Sequence, residues 1–329
     1  MIHRDSGILP IAVWRVVVCA AVILVASSPE SHGDSDPSRA EAEATAQVAE
    51  ETDRLYGLAL EHWLARSSRL QQVAQRLQIA GRDICDPILS PILGASIVDL
   101  KLLQENLQPA ARTRFGSEHR HYVTAVFAGT AAERGGLRVG DAVLTLNGSR
   151  VKGVERFYGF RRRSEVPNRL EIERGGESLT LSIETELGCR YPAWVVFDNR
   201  VNAAATGSSI TFNSALMRVL PDDAMLAQVV GHELAHNIFW SSSITRRGGW
   251  ASRKSEARAD YVGVYLSALA GYPLVTGHEF QIGLQQRLES FMTRTSHPTT
   301  PARVLALRKT IEEIEQKQER GEPLELRFE

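Results

Sequence analysis

The chain has 329 residues, with 38 basic against 39 acidic side chains and a formal net charge of −1. Its length predicts two or three domains, and 43% hydrophobic with 23% charged residues is the composition of an ordinary globular protein. Binding of a polyanion requires a concentrated positive field, so we expect no nucleic-acid partner.

The first 28 residues are predicted to be an export signal. Basic Arg4 and Arg15 come before the apolar run 16–26, and small residues follow it. A run of this length suits the core of a signal peptide and is too short to span a bilayer. We therefore expect cleavage near Ser28 and a periplasmic or other extracytoplasmic location. Retention as an uncleaved anchor is the alternative, and contact with a membrane is expected only in that case.

Cys85 and Cys189 are the two cysteines that remain after removal of the signal. In an oxidising compartment an even pair favours a disulfide. Such a bond would join the segment before the middle domain to the segment after it. Two unpaired buried thiols are the alternative.

The segments after the signal differ in composition. Residues 29–39 have almost no apolar content and predict a flexible linker. Residues 40–107 are expected to be an N-terminal helical segment, because apolar residues recur at helical spacing from 40 to 80 and Gly81 then ends the helix.

The middle of the chain has the pattern of a small β-rich domain. A strand at 122–127 is followed by a short helix, a Gly-Asp turn, a strand ending at Asn147-Gly148, and two further strands. This order resembles a PDZ domain of the bacterial protease type over residues 108–187.

PDZ domains add an extended peptide to a sheet edge and receive its terminal carboxylate on backbone amides. The resemblance therefore implies a peptide C-terminus as a partner, with Phe115 and Gly116 in the peptide-binding loop. That loop departs from the usual glycine-flanked apolar pattern. A domain that only gates or packs against the rest of the chain is the alternative.

A candidate zinc site lies in the last third of the chain. His232 and His236 are four residues apart on a predicted apolar helix, so both imidazoles can meet one metal ion. A catalytic zinc takes three protein ligands, and Glu256 on a second predicted helix is the candidate third ligand. Asp260, one turn later, is placed to accept a hydrogen bond from a ligand histidine. Glu233 follows the first ligand directly and is the candidate general base.

These residues together resemble the HtpX/Oma/BepA-like gluzincin metallopeptidases of the CAAX-prenyl-protease type. The segment 200–212 is similar to the family's strands before the active-site helix, and Ser296-His297-Pro298 with Arg303 is similar to its terminal His-Pro…Arg element. The resemblance implies a zinc metallopeptidase domain over 188–329 that binds one Zn²⁺. His297 would be a second catalytic residue, and Arg303 would pair with a carboxylate.

The predicted fold is α+β, with a mainly helical zincin metallopeptidase domain that has a small sheet, a PDZ-like β-rich domain and a long N-terminal helix. The resemblance implies an endopeptidase that hydrolyses peptide bonds of unfolded or misassembled cell-envelope proteins, with Glu233 as general base on a zinc-bound water. The alternative is a latent or chaperone-like PDZ adaptor with a closed or structural zinc site. An intact Glu233 favours the enzyme, because a purely structural site has no use for this base.

Overall fold

The computed structural model describes residues 37–85, 87–154, 167–241, 253–274 and 301–326. The predicted export signal, residues 29–36 of the linker and His297 lie outside the described residues. The described part mixes helix and sheet, which confirms that part of the predicted fold class. Within these ranges, no helix combines the length and the apolar character that crossing a membrane requires.

The helices are α1 Pro37–Ala80, α2 Arg82–Cys85, α3 Gln108–Phe115, α4 Ala131–Arg134, α5 Ser214–Val219, α6 Asp223–Ser241, α7 Arg253–Leu269 and α8 Pro301–Glu319. The strands are β1 Leu89–Ile92, β2 Ala95–Asp99, β3 His121–Val126, β4 Ala142–Leu146, β5 Ser149–Arg150, β6 Asn168–Arg174, β7 Glu177–Ile183, β8 Glu186–Cys189, β9 Ala193–Val196, β10 Ala203–Ala205 and β11 Ile210–Asn213.

Two compact units are distinguished along the chain. Of the first, Met1–Val48, the structure describes only the beginning of α1. The second, Ala49–Glu329, holds every other feature described below. Helix α1 begins at Pro37, inside the segment predicted as a linker, which corrects the end of that linker. Proline is well suited to a first helical turn, where its missing N–H has no partner to lose.

The PDZ-like sheet has the order β2-β3-β4-β6-β7, with β5 paired to β4, and all its pairings are antiparallel. Val123, Leu170 and Ile172 lie in its core and are fully buried. Strand β2 lies in the predicted N-terminal helical segment 40–107, beyond the helix expected at 40–80, so the sheet begins before residue 108. This correction arises because a short buried strand has too few residues to show a period of its own.

The two ends of the PDZ-like sheet are joined outside it. β1 pairs with β8 in a separate two-stranded sheet, with Leu89 opposite Cys189. Cys85 and Cys189 form a disulfide with their Cα atoms 5.4 Å apart, which confirms the predicted pair. The chain therefore enters and leaves this domain at one place.

The candidate zinc ligands lie in a mainly helical part of the second unit. A three-stranded sheet has the order β10-β11-β9, with β11 parallel to β9 and antiparallel to β10. Its buried Phe212 belongs to the same core as Val230 of α6 and Leu266 of α7. Leu70 and Leu77 of α1 belong to this core too, so α1 contributes to the packing beneath the two ligand-bearing helices.

Candidate metal centre

Helix α6 places two histidines on one buried face. The Asp222 carboxylate accepts a hydrogen bond from the Met225 N–H at 2.8 Å and so caps the helix. His232 and His236 stand one turn apart, and their Nε2 atoms are 3.1 Å apart. Both side chains are buried, so the helix directs two potential metal ligands into the interior.

Helix α7 brings the third predicted ligand to the same point. The Glu256 carboxylate lies 3.5 Å from His232 Nε2 and 3.3 Å from His236 Nε2. One ligand atom from each of these residues lies within 4.8 Å of the others. Within the described ranges they form the one group of three or more such residues that could hold a metal ion.

The convergence depends on a close crossing of the two helices. A Cβ atom added at Gly231 of α6 would lie 2.6 Å from the Gly263 carbonyl oxygen, and one added at Gly263 of α7 would lie 2.7 Å from the His232 nitrogen. Real Cβ atoms essentially never approach other atoms so closely. The absence of side chains at both positions therefore lets α7 come near enough to supply Glu256.

The donor set fits a zinc ion. Tetrahedral zinc with ligand bonds of about 2.0–2.2 Å sets its ligand atoms about 3.4 Å apart, close to the separations found here. Glu233, Glu256 and Asp260 are buried in this region, and Arg303 is the cation that pairs with two of them. Buried carboxylates in excess of cations are costly, and a divalent ion would offset that cost.

Asp260 and Arg303 lie directly behind the three candidate ligands. Asp260 Oδ1 lies 2.9 Å from His232 Nδ1. Arg303 of α8 donates to Asp260 through Nε and Nη2, each at 2.7 Å, and its Nη1 lies 3.3 Å from Glu256. The Asp260 carboxylate can accept the Nδ1–H of His232, which leaves the Nε2 lone pair facing the other ligands.

These contacts shift the pKa values of the group. Burial lowers the pKa of His232, but hydrogen bonds to Asp260 and Glu256 outweigh it and raise that pKa to about 10. Burial raises the pKa of Asp260, but hydrogen bonds from Arg303 and His232 outweigh it and hold that pKa below its usual value. The raised pKa of His232 reflects the negative charge of the carboxylates around it, and the lowered pKa of Asp260 keeps that carboxylate charged. The same negative charge attracts a cation.

Glu233 lies on α6 directly after the first ligand and is almost fully buried. Its charge is one of the contributions that raise the pKa values of His232 and Arg303, so its carboxylate acts electrostatically on the same group. A carboxylate in this place can exchange a proton with a molecule held at the ligand atoms.

Asn237 is a neighbouring residue that the sequence analysis missed. Its Oδ1 accepts a hydrogen bond from the Gly207 N–H at 2.7 Å, and its Nδ2 donates to the Ser209 carbonyl at 2.9 Å. It is fully buried, and it fixes the β10–β11 turn to α6 next to His236. The available signal was an amide side chain in an apolar helix, directly after a ligand.

The predicted peptide-binding loop lies elsewhere than expected. Phe115 ends α3 and stacks on Tyr122 at 5.3 Å, and Gly116 caps that helix with φ +87°. These residues lead into β3, which is flanked by β2 and β4 and therefore has no free edge for a peptide. The physical reason is that Gly116 ends helix α3, and the C-terminal end of a helix is a common position for a glycine at positive φ.

The structural similarities to known proteins are partial, and each covers 30% of this chain. No family profile matches the chain, and no curated protein matches it in sequence. Among solved structures, it is similar to the HtrA3 PDZ domain bound to a phage-derived ligand, with 22% identity, 30% of this chain and 88% of that chain covered, and a TM-score of 0.24. It is also similar to the HtrA-type protease AlgW with a decapeptide, with 23% identity and a TM-score of 0.25.

The AlgW match spans 30% of this chain and 30% of AlgW. Both neighbours are HtrA proteins. These similarities are too low for the ligands of the two neighbours to be assigned to this chain.

Proposed function

We propose that this protein is a zinc-dependent endopeptidase. The observation that carries the proposal is the convergence of His232, His236 and Glu256 from two helices beside the buried Glu233. Three protein ligands leave one position of a tetrahedral zinc open, which distinguishes a catalytic from a closed structural site. A carboxylate directly after the first ligand is of use to hydrolysis and of no use to a structural site.

The side chains have distinct roles in this proposal. His232, His236 and Glu256 hold the ion, which when bound acts as a Lewis acid and lowers the pKa of a water molecule. Glu233 accepts the proton of the attacking water and passes it to the leaving amine. Asp260 fixes the tautomer of His232, and Arg303 fixes the orientation of Asp260. His297, outside the described residues, is the proposed second catalytic group.

The proposed substrates are unfolded or misassembled polypeptides of the cell envelope, as the resemblance to the gluzincin family implies. The disulfide between Cys85 and Cys189 supports an oxidising compartment and so an exported protein. An extended substrate chain suits a protease because its backbone groups are available for pairing with a sheet edge.

The test is to compare casein cleavage and bound zinc for the wild-type protein and Glu233→Gln. We expect both to hold one zinc, and cleavage by the variant to fall by a factor of about 10²–10⁴, the usual contribution of a general base. Glu61→Gln, an exposed carboxylate paired with Arg114 on the protein surface, is the matched control and should cleave as the wild type does.

Two outcomes would contradict the proposal. If wild type and Glu233→Gln both hold zinc and neither cleaves, the protein is a latent enzyme or an adaptor. If neither holds zinc, the three converging residues are not a metal site.

A further inference from the structure

The buried face of α8 carries a cation near each end. The buried residues of this helix recur every three or four positions, at Arg303, Leu307, Thr310, Ile311, Ile314 and Lys317. The apolar ones pack in one core with Val264, Tyr265 and Ala268 of α7. At a rise of about 1.5 Å per residue, Arg303 and Lys317 are separated by about 21 Å along the axis. Both need partners, because burial of an unpaired charge is costly.

Lys317 has as many polar partners as hydrogens to donate. Its ammonium donates to the Tyr265 hydroxyl at 2.6 Å and to the Glu325 carbonyl at 3.0 Å, and it lies 2.9 Å from Glu313 Oε1. The ammonium also lies 5.0 Å from the centre of the Tyr265 ring, within reach of a cation–π contact. An ammonium group has three N–H donors, so the buried charge of Lys317 is fully satisfied.

Tyr265 joins these groups to α7. Its hydroxyl donates to Glu313 Oε1 at 2.7 Å and accepts from Lys317, and its side chain is fully buried. Burial, followed by the hydrogen bond to Glu313, raises the pKa of Tyr265 above its usual value, so the hydroxyl keeps the proton that it donates. Tyr265, Glu313 and Lys317 thus form a closed triangle of contacts, two sides of which join α7 to α8. We call these three residues the Tyr265 cluster.

Apolar packing alone would not give α8 a single position on α7. Leu307, Ile311 and Ile314 repeat at helical spacing, so a shift of one turn, about 5.4 Å, would again place apolar residues at most of these contacts. The same shift would break the hydrogen bonds at both ends, because a hydrogen bond does not survive separations beyond about 3.5 Å. A buried polar group that must meet its partner is the best-attested means of fixing the register of packed helices.

Two fixed points are needed, because Arg303 alone would act as a pivot. Arg303 donates to both oxygens of Asp260, and Asp260 lies 2.9 Å from His232 Nδ1. This two-pronged contact depends on the direction of the guanidinium plane, and hence on the direction of α8. The Tyr265 cluster is the second fixed point, about 21 Å farther along the helix, and two points define the direction of its axis.

We infer that Tyr265, Glu313 and Lys317 are positioning residues for the candidate metal centre. Together they set the register and the direction of α8 on α7, so that Arg303 holds Asp260 in place behind His232. They act through Arg303 rather than on the ligands themselves. The effect on zinc binding rests on the proposed function, whereas the effect on the pair of Arg303 and Asp260 is independent of zinc.

The test asks whether the two ends of α8 are coupled. Substitutions more than about 10 Å apart with no shared partner normally change stability additively. Lys317→Met keeps the length of the side chain and removes its hydrogen bonds, and Arg303→Lys keeps the buried charge and removes the two-pronged contact. By urea denaturation of the metal-free protein, we expect Lys317→Met to lower the free energy of unfolding less in the Arg303→Lys background than in the wild type. Ile314→Ala, which removes packing from the same core, is the matched control and should cost the same in both backgrounds.

Zinc affinity is the second measurement, made by competition with a chelating indicator. Lys317→Met should raise the zinc dissociation constant about 3–10-fold, less than the roughly 10–100-fold that follows direct loss of a ligand's support. Ile314→Ala should leave the zinc dissociation constant unchanged.

Two results would overturn the inference. The first is that Lys317→Met costs the same in both backgrounds. The second is that Lys317→Met changes zinc affinity no more than Ile314→Ala does. A wild-type protein that binds no zinc would instead refute the proposed function, and the stability comparison alone would then decide the inference. If Lys317→Met does not fold, Tyr265→Phe replaces it under the same criteria, because it keeps the ring and removes only the hydroxyl.

Discussion

A methyl group at the crossing of α6 and α7 should disturb the metal centre without changing any ligand side chain. In Gly263→Ala the new Cβ would lie 2.7 Å from the His232 nitrogen and 3.0 Å from both the His232 Cα and the Gly231 carbonyl carbon. All three are backbone atoms, so no flexible side chain can turn away. The helices must instead move apart.

The size of the movement follows from ordinary contact distances. Carbon atoms prefer separations of about 3.5–4.0 Å, so the backbones must separate by about 1 Å. Metal–ligand distances tolerate changes of only about 0.2 Å. We therefore expect the zinc dissociation constant to rise about 10–100-fold, the range seen when support of a ligand is lost. Overpacking should also lower the free energy of unfolding by about 1–3 kcal/mol.

Zinc affinity would be measured by competition with a chelating indicator, and stability by urea denaturation of the metal-free protein. Gly57→Ala is the control, because Gly57 lies inside α1 and a Cβ there would have nothing within 4 Å. It should leave zinc affinity unchanged and stabilise the protein by about 1 kcal/mol. Unchanged zinc affinity and unchanged stability in Gly263→Ala would refute the role given to the close crossing.

Two further predictions concern stability. Burial raises the pKa of Asp99, but the nearby His121 ring and hydrogen bonds from Arg120 and the Lys101 N–H outweigh it and lower that pKa to about 2. The stabilisation that ionised Asp99 contributes is therefore present above pH 4 and lost as the pH falls toward 2. Asp99→Asn should lower the free energy of unfolding by about 2 kcal/mol at pH 7, and urea denaturation should show that this free energy depends less on pH between 4 and 2 than in the wild type. A loss that is the same at every pH would contradict this. Replacement of both Cys85 and Cys189 by alanine should lower the free energy of unfolding by about 2–4 kcal/mol, because the bond links residues 104 apart in sequence; an unchanged urea midpoint would contradict it.

Much of the candidate site could be predicted from short segments of the sequence. The spacing of His232 and His236 fixes their shared face once α6 forms, and the apolar run around them predicts that helix. The same holds for Glu256 and Asp260 on α7. The contribution of Arg303, from a third helix, entered only through a resemblance to a family motif. Arg303 donates two hydrogen bonds to Asp260.

Other features could not be predicted from short segments of the sequence. β2 is short and buried along its whole length, so it has no alternation to reveal it, and only pairing with β3 makes it a strand. Phe115 and Gly116 were expected at a peptide edge, whereas glycine here ends a helix that leads into an inner strand. In both cases the deciding partner is distant in sequence.

By itself, the sequence determined the residues that can bind a metal, the helices that carry them, and the pair of cysteines, because helical spacing and donor chemistry are properties of short segments. The tertiary structure decided how closely α6 and α7 approach, at Gly231 and Gly263, and that Lys317 of α8 meets Tyr265 of α7. Both depend on contacts between segments far apart along the chain. Such contacts form only when the shared core orders those segments together, and no local pattern encodes them.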